Sequence, residues 1–326
     1  MSFTRLRLPL PGMELGHVNV YLVKCSDGYG LVDVGLATYD SALALLRGLK
    51  QLGVRPGEIT KVFVTHFHAD HITLAQFLAE VSSPDFHIGE GEISRIASSF
   101  DDLAKMYAEE YKRHGAPAEV AEAFLKVHPM SRFRKSFEDV WRLQWRSVRD
   151  GEDLDCGLRA ISTPGHTPGH TVYAAEHGIF TGDHVLPKIT PNISWYPIPG
   201  FNPLKEYLKS LKKVATNKRG YPAHGDEIGN LALRIEELVR HHEERLREVM
   251  AVLREPMTTY QVAQKINWDA GPFEQFDVYN KIFAIGEAYS HLLYLEEAGL
   301  VRRVEKDQVY WLPAERRDNL QNIPLP

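Results

Sequence analysis

The sequence predicts an α/β fold with a helical insertion and a smaller, mainly helical C-terminal module. Short apolar runs alternate with helical patterns up to about residue 92, and strand-like runs resume near residue 158. Between them, residues 92–148 are charged and helical in spacing. Strands mixed among helices are typical of layered α/β domains. At roughly 100–200 residues per domain, a chain of 326 residues has room for two or three domains.

Each element follows from its apolar pattern. The expected strands are Val18–Val23, Gly30–Val34, Lys61–Thr65, Asp85–Ile88, Leu158–Ser162, Thr171–Ala175 and Gly178–Phe180, because short apolar runs bounded by turns are typical of strands. Apolar residues three and four apart predict the helices Ala42–Leu52, Ile72–Val81, Ala118–Val127 and Phe133–Trp145.

The predicted insertion has a helix before Gly115 and a distinctive aromatic series in its last helix. Phe133, Phe137, Trp141 and Trp145 follow one another at intervals of four, which places them on one helical face. Basic residues, among them Arg132 and Arg134, surround this face. Two hypotheses follow: the aromatics pack on a core, or the segment is a lid that binds an anionic group of the substrate.

The last 96 residues have a different organisation. They predict a long helix, Ala232–Arg254, a short helix through Ile266 and a third helix, Val278–Glu297, followed by a hairpin. Three helices and a hairpin are typical of a winged-helix module. From residue 231 onward there are 12 Lys and Arg against 16 Asp and Glu, a net charge of −4. Duplex DNA binding requires a basic surface, so we expect no specific DNA partner and assign the module to packing or dimerisation.

Composition excludes several classes of protein. The net charge of −5 gives no general attraction to nucleic acid or anionic membranes. No apolar stretch approaches 18 residues, and the N-terminus lacks the apolar segment of a secretory signal, so we expect a cytoplasmic protein without a membrane partner. Cys25 and Cys156 are too few for a disulfide framework and are expected to be buried free thiols.

Histidine is frequent, at 15 residues, and the histidines cluster. The strand Lys61–Thr65 leads directly into the sequence HFHADH, with four potential metal ligands in six residues: His66, His68, Asp70 and His71. Three further loops carry the same kinds of side chain. They contribute His166 with His170, Asp183 with His184, and His224, the last expected to follow a helix. The roles of His170 and His184 stay open, and His241 and His242 are expected to be solvated.

These motifs, taken in order, resemble the metallo-β-lactamase-fold hydrolase superfamily over about residues 3–230. The loop GHTPGH at 165–170 and the sequence TGDH at 181–184 are most similar to the glyoxalase II-type branch. The whole chain looks like the lactamase-β-like hydrolases that carry a winged-helix tail. The resemblance implies a four-layer αββα sandwich over residues 1–230, with the insertion at about 92–148, and a separate domain over residues 231–326.

The resemblance also implies two metal ions. His66, His68 and His166 would hold the first, Asp70, His71 and His224 the second, and Asp183 would bridge them. Zinc is the first choice, with iron and manganese as alternatives. Asp70 and Asp183 are the expected catalytic residues, because a carboxylate can both bind a metal and orient the hydroxide shared by two ions. Asp33 is expected to support the loop or a ligand imidazole.

Several functions fit such a site. The leading hypothesis is hydrolysis of a small ester, thioester or lactone by a hydroxide that bridges the metals. The alternatives are a metal-dependent endoribonuclease or phosphodiesterase, a non-catalytic winged-helix protein that binds nucleic acid and has a metal-dependent sensor, and a mononuclear iron enzyme that oxidises a persulfide. Because the tail is acidic and no basic RNA-gripping arm is evident, we expect a small-molecule substrate. A homodimer remains an open possibility.

Overall fold

A computed structural model describes residues 3–92, 100–127, 129–314 and 325 of the chain. The described residues form two compact units. The first takes those that fall within Met1–Ser98, Phe133–Pro191 and Ser210–Ile235, and the second takes those within Ser99–Arg132, Asn192–Lys209 and Glu236–Pro326. The predicted insertion is therefore divided: its residues 100–127 and 129–132 belong to the second unit, and its residues from 133 onward belong to the first. The assignment of residues 1–230 and 231–326 to separate functional domains stays a prediction. Residues 93–99 and His128 lie outside the described part of the chain.

The first unit contains two mixed β-sheets. The strands of the first sheet, in their spatial order, are β1 (Phe3–Pro9), β2 (His17–Lys24), β3 (Tyr29–Val32), β4 (Ile59–Val64), β5 (Asp85–Gly89) and β6 (Trp145–Val148). In the second sheet, too, strands that are adjacent in sequence are adjacent in space. These strands are β7 (Asp153–Leu154), β8 (Leu158–Ser162), β9 (Thr171–Ala175), β10 (Gly178–Gly182) and β11 (Arg219–Pro222). The pairs from β3 to β6 are parallel, as is β10 with β11.

The two sheets pack face to face through one hydrophobic core. The first sheet contributes Tyr21, Val32 and Phe63, and the second contributes Tyr173 and Phe180. Strands that are buried on both faces read as continuous apolar runs, which is why β4 was recognisable in the sequence. This arrangement fixes the strand ends at which the candidate site is built.

Helices follow most of the predicted patterns. In chain order they are α1 (Tyr39–Gln51), α2 (Ala69–Ile72), α3 (Ala75–Val81), α4 (Phe100–Arg113), α5 (Ala118–Val127), α6 (Pro129–Arg132), α7 (Arg134–Trp141), α8 (Pro203–Val214), α9 (Leu231–Val252), α10 (Thr259–Lys265) and α11 (Val278–Glu297). A hairpin of β12 (Val301–Glu305) and β13 (Val309–Pro313) follows α11. The single helix predicted at Ile72–Val81 is two helices, α2 and α3.

The helix predicted at Phe133–Trp145 is wrong in its last four residues. The helix α7 ends at Trp141, and Trp145 begins strand β6, where its indole N–H donates to the carbonyl of Val140 at 2.9 Å. The edge of the sheet captures this segment, because pairing with β5 supplies backbone hydrogen bonds that a further helical turn would forgo. Phe137 is buried and stacks on Trp141 at 5.4 Å between ring centroids.

Cys25 and Cys156 form a disulfide, so the expectation of free thiols is wrong. Cys25 follows β2 of the first sheet, and Cys156 precedes β8 of the second, so the bond joins the two sheets through their shared core. The two cysteines are 131 residues apart, which is why their pairing is invisible in the sequence. A cytoplasmic location stays a prediction.

Reduction of this disulfide is expected to destabilise the protein. A cross-link between distant residues restricts the unfolded chain, and its loss typically lowers the free energy of unfolding by about 2–4 kcal/mol. Denaturant unfolding with and without a thiol reductant measures the change. The double variant C25S/C156S is the matched control, because its unfolding curve should not respond to reductant. An equal response of both proteins would contradict the prediction.

The second unit is centred on α11 and contains buried polar contacts. The imidazole of His114, just after α4, contacts the hydroxyl of Thr259 at 2.6 Å. The hydroxyl of Thr259 also accepts from the indole of Trp311 in β13, and Tyr289 of α11 donates to Glu110 of α4. The first helix of the predicted insertion therefore packs within the same unit as α10, α11 and the hairpin.

His242 was expected to be solvated, but it is fully buried in the second unit. Its Nδ1 lies 3.2 Å from Nε2 of His291 in α11, whose Nδ1 donates to the carbonyl of Glu287. Burial lowers the pKa of both imidazoles, so both are neutral at pH 7. The polar residues on this face of α9 are part of an interior network, which an amphipathic pattern alone did not reveal.

Glu287 gives this network a measurable pH dependence. Burial raises the pKa of its carboxyl group to about 7. The amide of Asn192 donates to this carboxyl group at 3.0 Å, which favours the ionised form and partly opposes the rise in pKa. Because the folded protein binds this proton more tightly than the unfolded chain, the contribution to stability is greatest below about pH 4.5 and is lost as the pH rises through about 7.

The variant E287Q is expected to remove this pH dependence. Above pH 8 it should exceed the wild type in free energy of unfolding by roughly 3 kcal/mol, because the pKa rises from 4.5 to about 7 and each pKa unit is worth about 1.4 kcal/mol. Urea unfolding between pH 5 and 8.5 measures the difference. E296Q is a suitable control, because Glu296 is a surface partner of Arg303. A constant difference between E287Q and the wild type across this range would contradict the assignment.

Candidate metal centre

The sequence HFHADH lies where the predicted strand ends. Strand β4 ends at Val64, His66 follows two residues later, and His68 is the N-cap of the short helix α2 with φ −61° and ψ 151°. Asp70 and His71 lie in the first turn of that helix. The turn from the end of the strand into helix α2 directs two pairs of side chains at different positions.

Three imidazoles form a first group, which consists of His66, His68 and His166. Nδ1 of His68 lies 3.0 Å from Nε2 of His66 and 3.1 Å from Nε2 of His166. Nitrogens bound to one tetrahedral zinc ion at about 2.0–2.1 Å lie roughly 3.4 Å apart. The spacing of the three nitrogens therefore fits a single cation.

A second group consists of Asp70, His71 and His224. Oδ2 of Asp70 lies 3.2 Å from Nε2 of His224 and 3.7 Å from Nε2 of His71. His224 follows strand β11, whereas the sequence was interpreted as placing it after a helix. Its Nδ1 donates to the carbonyl of His17 at 2.9 Å, which leaves Nε2 to face the group.

Asp183 lies between the two groups. Its Oδ2 is 3.6 Å from Nε2 of His71 and 3.7 Å from Nε2 of His166, and its Oδ1 is 3.4 Å from Nε2 of His224. The side chain is supplied by the turn after β10, where Gly182 has a φ of +52°. Asp183 is thus the carboxylate within reach of both groups.

Three buried atoms in this cluster have no hydrogen-bond partner, namely Nε2 of His71, Nε2 of His224 and Oδ1 of Asp183. Buried polar atoms are nearly always hydrogen-bonded, and a ligand or ion is one common reason for an exception. Imidazole and carboxylate donors without a thiolate suit zinc, iron or manganese. The donor set, its spacing and these three atoms fit divalent metal ions.

The electrostatics of the two groups differ. Burial, reinforced by neighbouring imidazoles, lowers the pKa of His66 well below its usual value and leaves that ring neutral. Burial alone would also lower the pKa of His71, but the carboxylates of Asp70, Asp183 and Asp33 raise it well above its usual value. Positive charge is therefore favoured at the second group, whether as a proton or as a cation that displaces it.

Asp33 and Thr65 support the ligands from behind. Asp33, with a φ of 58°, turns out of β3 and places Oδ2 at 2.9 Å from Nδ1 of His71. Its Oδ1 accepts the backbone N–H of Thr65, and the hydroxyl of Thr65 lies 3.0 Å from Nδ1 of His66. Asp33 was predicted to support the loop or an imidazole, and the structure places it against both. Thr65 was missed, because a threonine that ends an apolar strand carries no signal of its own.

His170 and His184 belong to neither group. His170 is fully buried, contacts the hydroxyl of Thr163 through Nδ1 at 2.9 Å and lies 5.1 Å from the ring of His66. His184 is fully buried beside His170, with 5.7 Å between their ring centroids. Both rings therefore lie behind the groups rather than among the side chains that converge on them.

The chain belongs to the metallo-beta-lactamase superfamily, since the model of that family matches residues 13–221. It is 29% identical over 273 residues to the probable metallo-hydrolase YqjP of Bacillus subtilis, covering 80% of this chain and 83% of that protein. It is 25% identical over 254 residues to an atrochrysone carboxyl ACP thioesterase of Aspergillus fumigatus, covering 75% of this chain and 62% of that one.

Two solved structures resemble nearly the whole chain. The metallo-beta-lactamase family protein TTHA1429 from Thermus thermophilus has a TM-score of 0.78 and 28% identity, over 95% of this chain and 98% of its own. A beta-lactamase domain protein from Burkholderia ambifaria has a TM-score of 0.78 and 26% identity, over 96% and 93%. Members of the superfamily are generally metal-dependent hydrolases. Within the described residues, none of the helices has the length and apolar character needed to cross a membrane.

Proposed function

We propose that this chain is a dinuclear metal hydrolase that acts on a small ester, thioester or lactone, and that its two metal ions are zinc. The observation that carries the proposal is the position of Asp183 between two groups of three ligands, within 3.7 Å of an imidazole nitrogen in each. A single carboxylate placed in this way can keep two cations close together, and sites with two metals about 3.5–4 Å apart catalyse hydrolysis.

In this proposal the chain holds the ions through seven side chains. They are His66, His68 and His166 for the first, Asp70, His71 and His224 for the second, and Asp183 for both. The ions would supply Lewis acidity for the substrate carbonyl and a water molecule of lowered pKa.

Asp70 has a further role in the proposed reaction. Contact with His71 and His224 outweighs the effect of burial and lowers the pKa of its carboxyl group to about 2, so Asp70 is ionised throughout the working pH range. An ionised carboxylate accepts a hydrogen bond and can orient the attacking water toward the carbonyl carbon. Asp33 keeps His71 in the tautomer and orientation that the second ion needs.

The thioester class has support from one relative, whose name describes it as an acyl carrier protein thioesterase. This chain covers 62% of that protein's length, so the correspondence concerns the chemistry and not the particular acyl group.

We also propose that α9, α10, α11 and the β12–β13 hairpin form a winged-helix-like module for packing or dimerisation. The first strand of the hairpin contains two arginines. One of them, Arg303, donates to both carboxylate oxygens of Glu296. That pairing and the net charge of −4 after residue 230 argue against phosphate contacts.

A substrate panel tests the proposed reaction. The chain, loaded with zinc and in a parallel sample with iron, would be assayed on acyl thioesters, lactones, β-lactams, bis-p-nitrophenyl phosphate, single-stranded RNA and a persulfide with oxygen. We expect kcat/KM for a thioester or lactone to exceed that for the phosphodiesters by more than about 100-fold, a difference of about 2.7 kcal/mol in transition-state binding. Faster cleavage of RNA or the phosphodiester, or iron-dependent oxygen consumption with the persulfide, would overturn the proposal in favour of that activity.

A further inference from the structure

A buried glutamate lies next to the loop that carries His166. Glu92 follows β5 in the sequence Gly89-Glu90-Gly91-Glu92, and its side chain is fully buried. A buried carboxylate is costly unless it is hydrogen-bonded. Oε1 of Glu92 accepts the hydroxyl of Thr167 and, at 2.8 Å, the backbone N–H of Gly169. Thr167 is the residue directly after His166.

The backbones of these two segments are in close contact. A Cβ on Gly169 would lie 2.3 Å from the backbone nitrogen of Glu92, and a Cβ on Gly89 would lie 2.2 Å from the carbonyl oxygen of Gly169. Neither position has room for a side chain. Because Gly89 and Gly169 have no side chains, the loop lies close to the segment that carries Glu92. Oε1 of Glu92 can therefore accept from the hydroxyl of Thr167 and from the N–H of Gly169.

The other side of the loop is attached to the end of β4. The N–H of Thr171 donates to the carbonyl of Thr65 at 2.9 Å, and the N–H of Thr163 donates to the carbonyl of His170 at 2.8 Å. These bonds fix the two ends of the loop, at residues 163 and 170–171. Within the loop, Ser210 donates to the carbonyl of Pro164 at 2.8 Å, and Glu92 binds the residues immediately after His166.

We propose that Glu92 is a positioning residue for the first group. It increases the affinity of that group for a metal ion and leaves the metal affinity of the second group unchanged. This inference rests on the proposed metal-binding function. The selectivity follows from connectivity, because His166 belongs to the first group alone. His71 and His224 of the second group are held by Asp33 and by the carbonyl of His17.

The variant E92A is expected to weaken the first metal position about 10- to 100-fold, the usual effect of removing a residue that orients a metal ligand. Affinity at the second position should stay within about threefold of the wild type. E92Q keeps an oxygen in the place of Oε1 that can accept from both donors. It should therefore restore the first position to within about threefold of the wild type.

Titration of the metal-free full-length protein with Zn²⁺ in a calorimeter measures both positions. The binding phases are identified with H166A, which removes a ligand of the first group, and H224A, which removes a ligand of the second. E92A should change the phase that H166A removes. T167V is a second, milder variant that keeps the buried carboxylate, and we expect it to weaken the same phase roughly three- to tenfold by the loss of one hydrogen bond.

The double variant E92A/T167V adds a test of the contact itself. If the two side chains act through their hydrogen bond, T167V has little further effect once Glu92 is absent. Should E92A not fold, as judged by circular dichroism of the metal-free protein, the phase selectivity of T167V and the rescue by E92Q decide the question.

The outcomes separate this inference from the function on which it rests. A wild-type chain that takes up no metal overturns the proposed function and the inference together. A wild type with two phases, combined with variants that weaken both equally or neither, overturns the inference alone. Failure of E92Q to restore the first phase also overturns it, because the geometry requires an acceptor at this position and not a negative charge.

Discussion

The variant D183A is expected to lose hydrolytic activity by more than about 100-fold in kcat, a larger effect than that of a residue which only orients a ligand. Asp183 is the carboxylate within 3.7 Å of imidazole nitrogens in both groups, so its removal disturbs both proposed metal positions at once. Metal content per chain should fall together with kcat. Steady-state kinetics on the best substrate of the panel, with metal analysis of the same preparation, gives both values.

D226A is the matched control for D183A. Asp226 is an exposed carboxylate two residues beyond His224, and it pairs with Arg7 rather than with either group. Surface ion pairs contribute about 0–1 kcal/mol, so kcat of D226A should stay within about threefold of the wild type. If D183A kept full activity, or if D226A lost as much as D183A, the dinuclear mechanism would be wrong.

Removal of the metal with a chelator is expected to abolish hydrolysis and to lower the melting temperature. An ion at 100 times its dissociation constant adds about 2.7 kcal/mol to the free energy of unfolding, and two such ions add about twice that. The loss should be large, because removal of the ions leaves the carboxylates of Asp70 and Asp183 buried together without the metal cations. Activity assays and thermal unfolding before and after dialysis against the chelator provide the comparison.

Chelator saturated with Zn²⁺ serves as the control for this treatment, since it has no capacity left to remove zinc from the protein. Addition of Zn²⁺ to the metal-free protein should restore both activity and melting temperature. Full activity after complete removal of transition metals would refute metal-dependent hydrolysis for this chain.

Much of the candidate site could be predicted because its chemistry is local in sequence. His66, His68, Asp70 and His71 occupy six consecutive positions at the end of a strand, where the change to a helix determines their directions. His166, Asp183 and His224 are each displayed by a short loop next to a strand, and their convergence followed from resemblance rather than from spacing. The assignment of these residues as metal ligands stays a prediction until metal binding is measured.

The features that sequence did not reveal depend on long-range contacts. The disulfide joins residues 131 positions apart. Trp145 continued a helical pattern, but pairing of β6 with β5 outweighed the local preference. Thr65 and Glu92 are ordinary residues in sequence, and their importance comes from partners 32 and 75–77 positions away. Such contacts leave no periodic pattern, so a single sequence cannot show them.

Anomalous diffraction at the zinc edge, from crystals of the zinc-loaded protein, tests the central claim most directly. We predict two peaks about 3.5–4 Å apart, the spacing of hydrolytic two-metal sites. One should lie among His66, His68 and His166 and the other among Asp70, His71 and His224, with Asp183 in contact with both. A single peak, or peaks outside these two groups, would contradict the dinuclear centre on which the proposed hydrolysis depends.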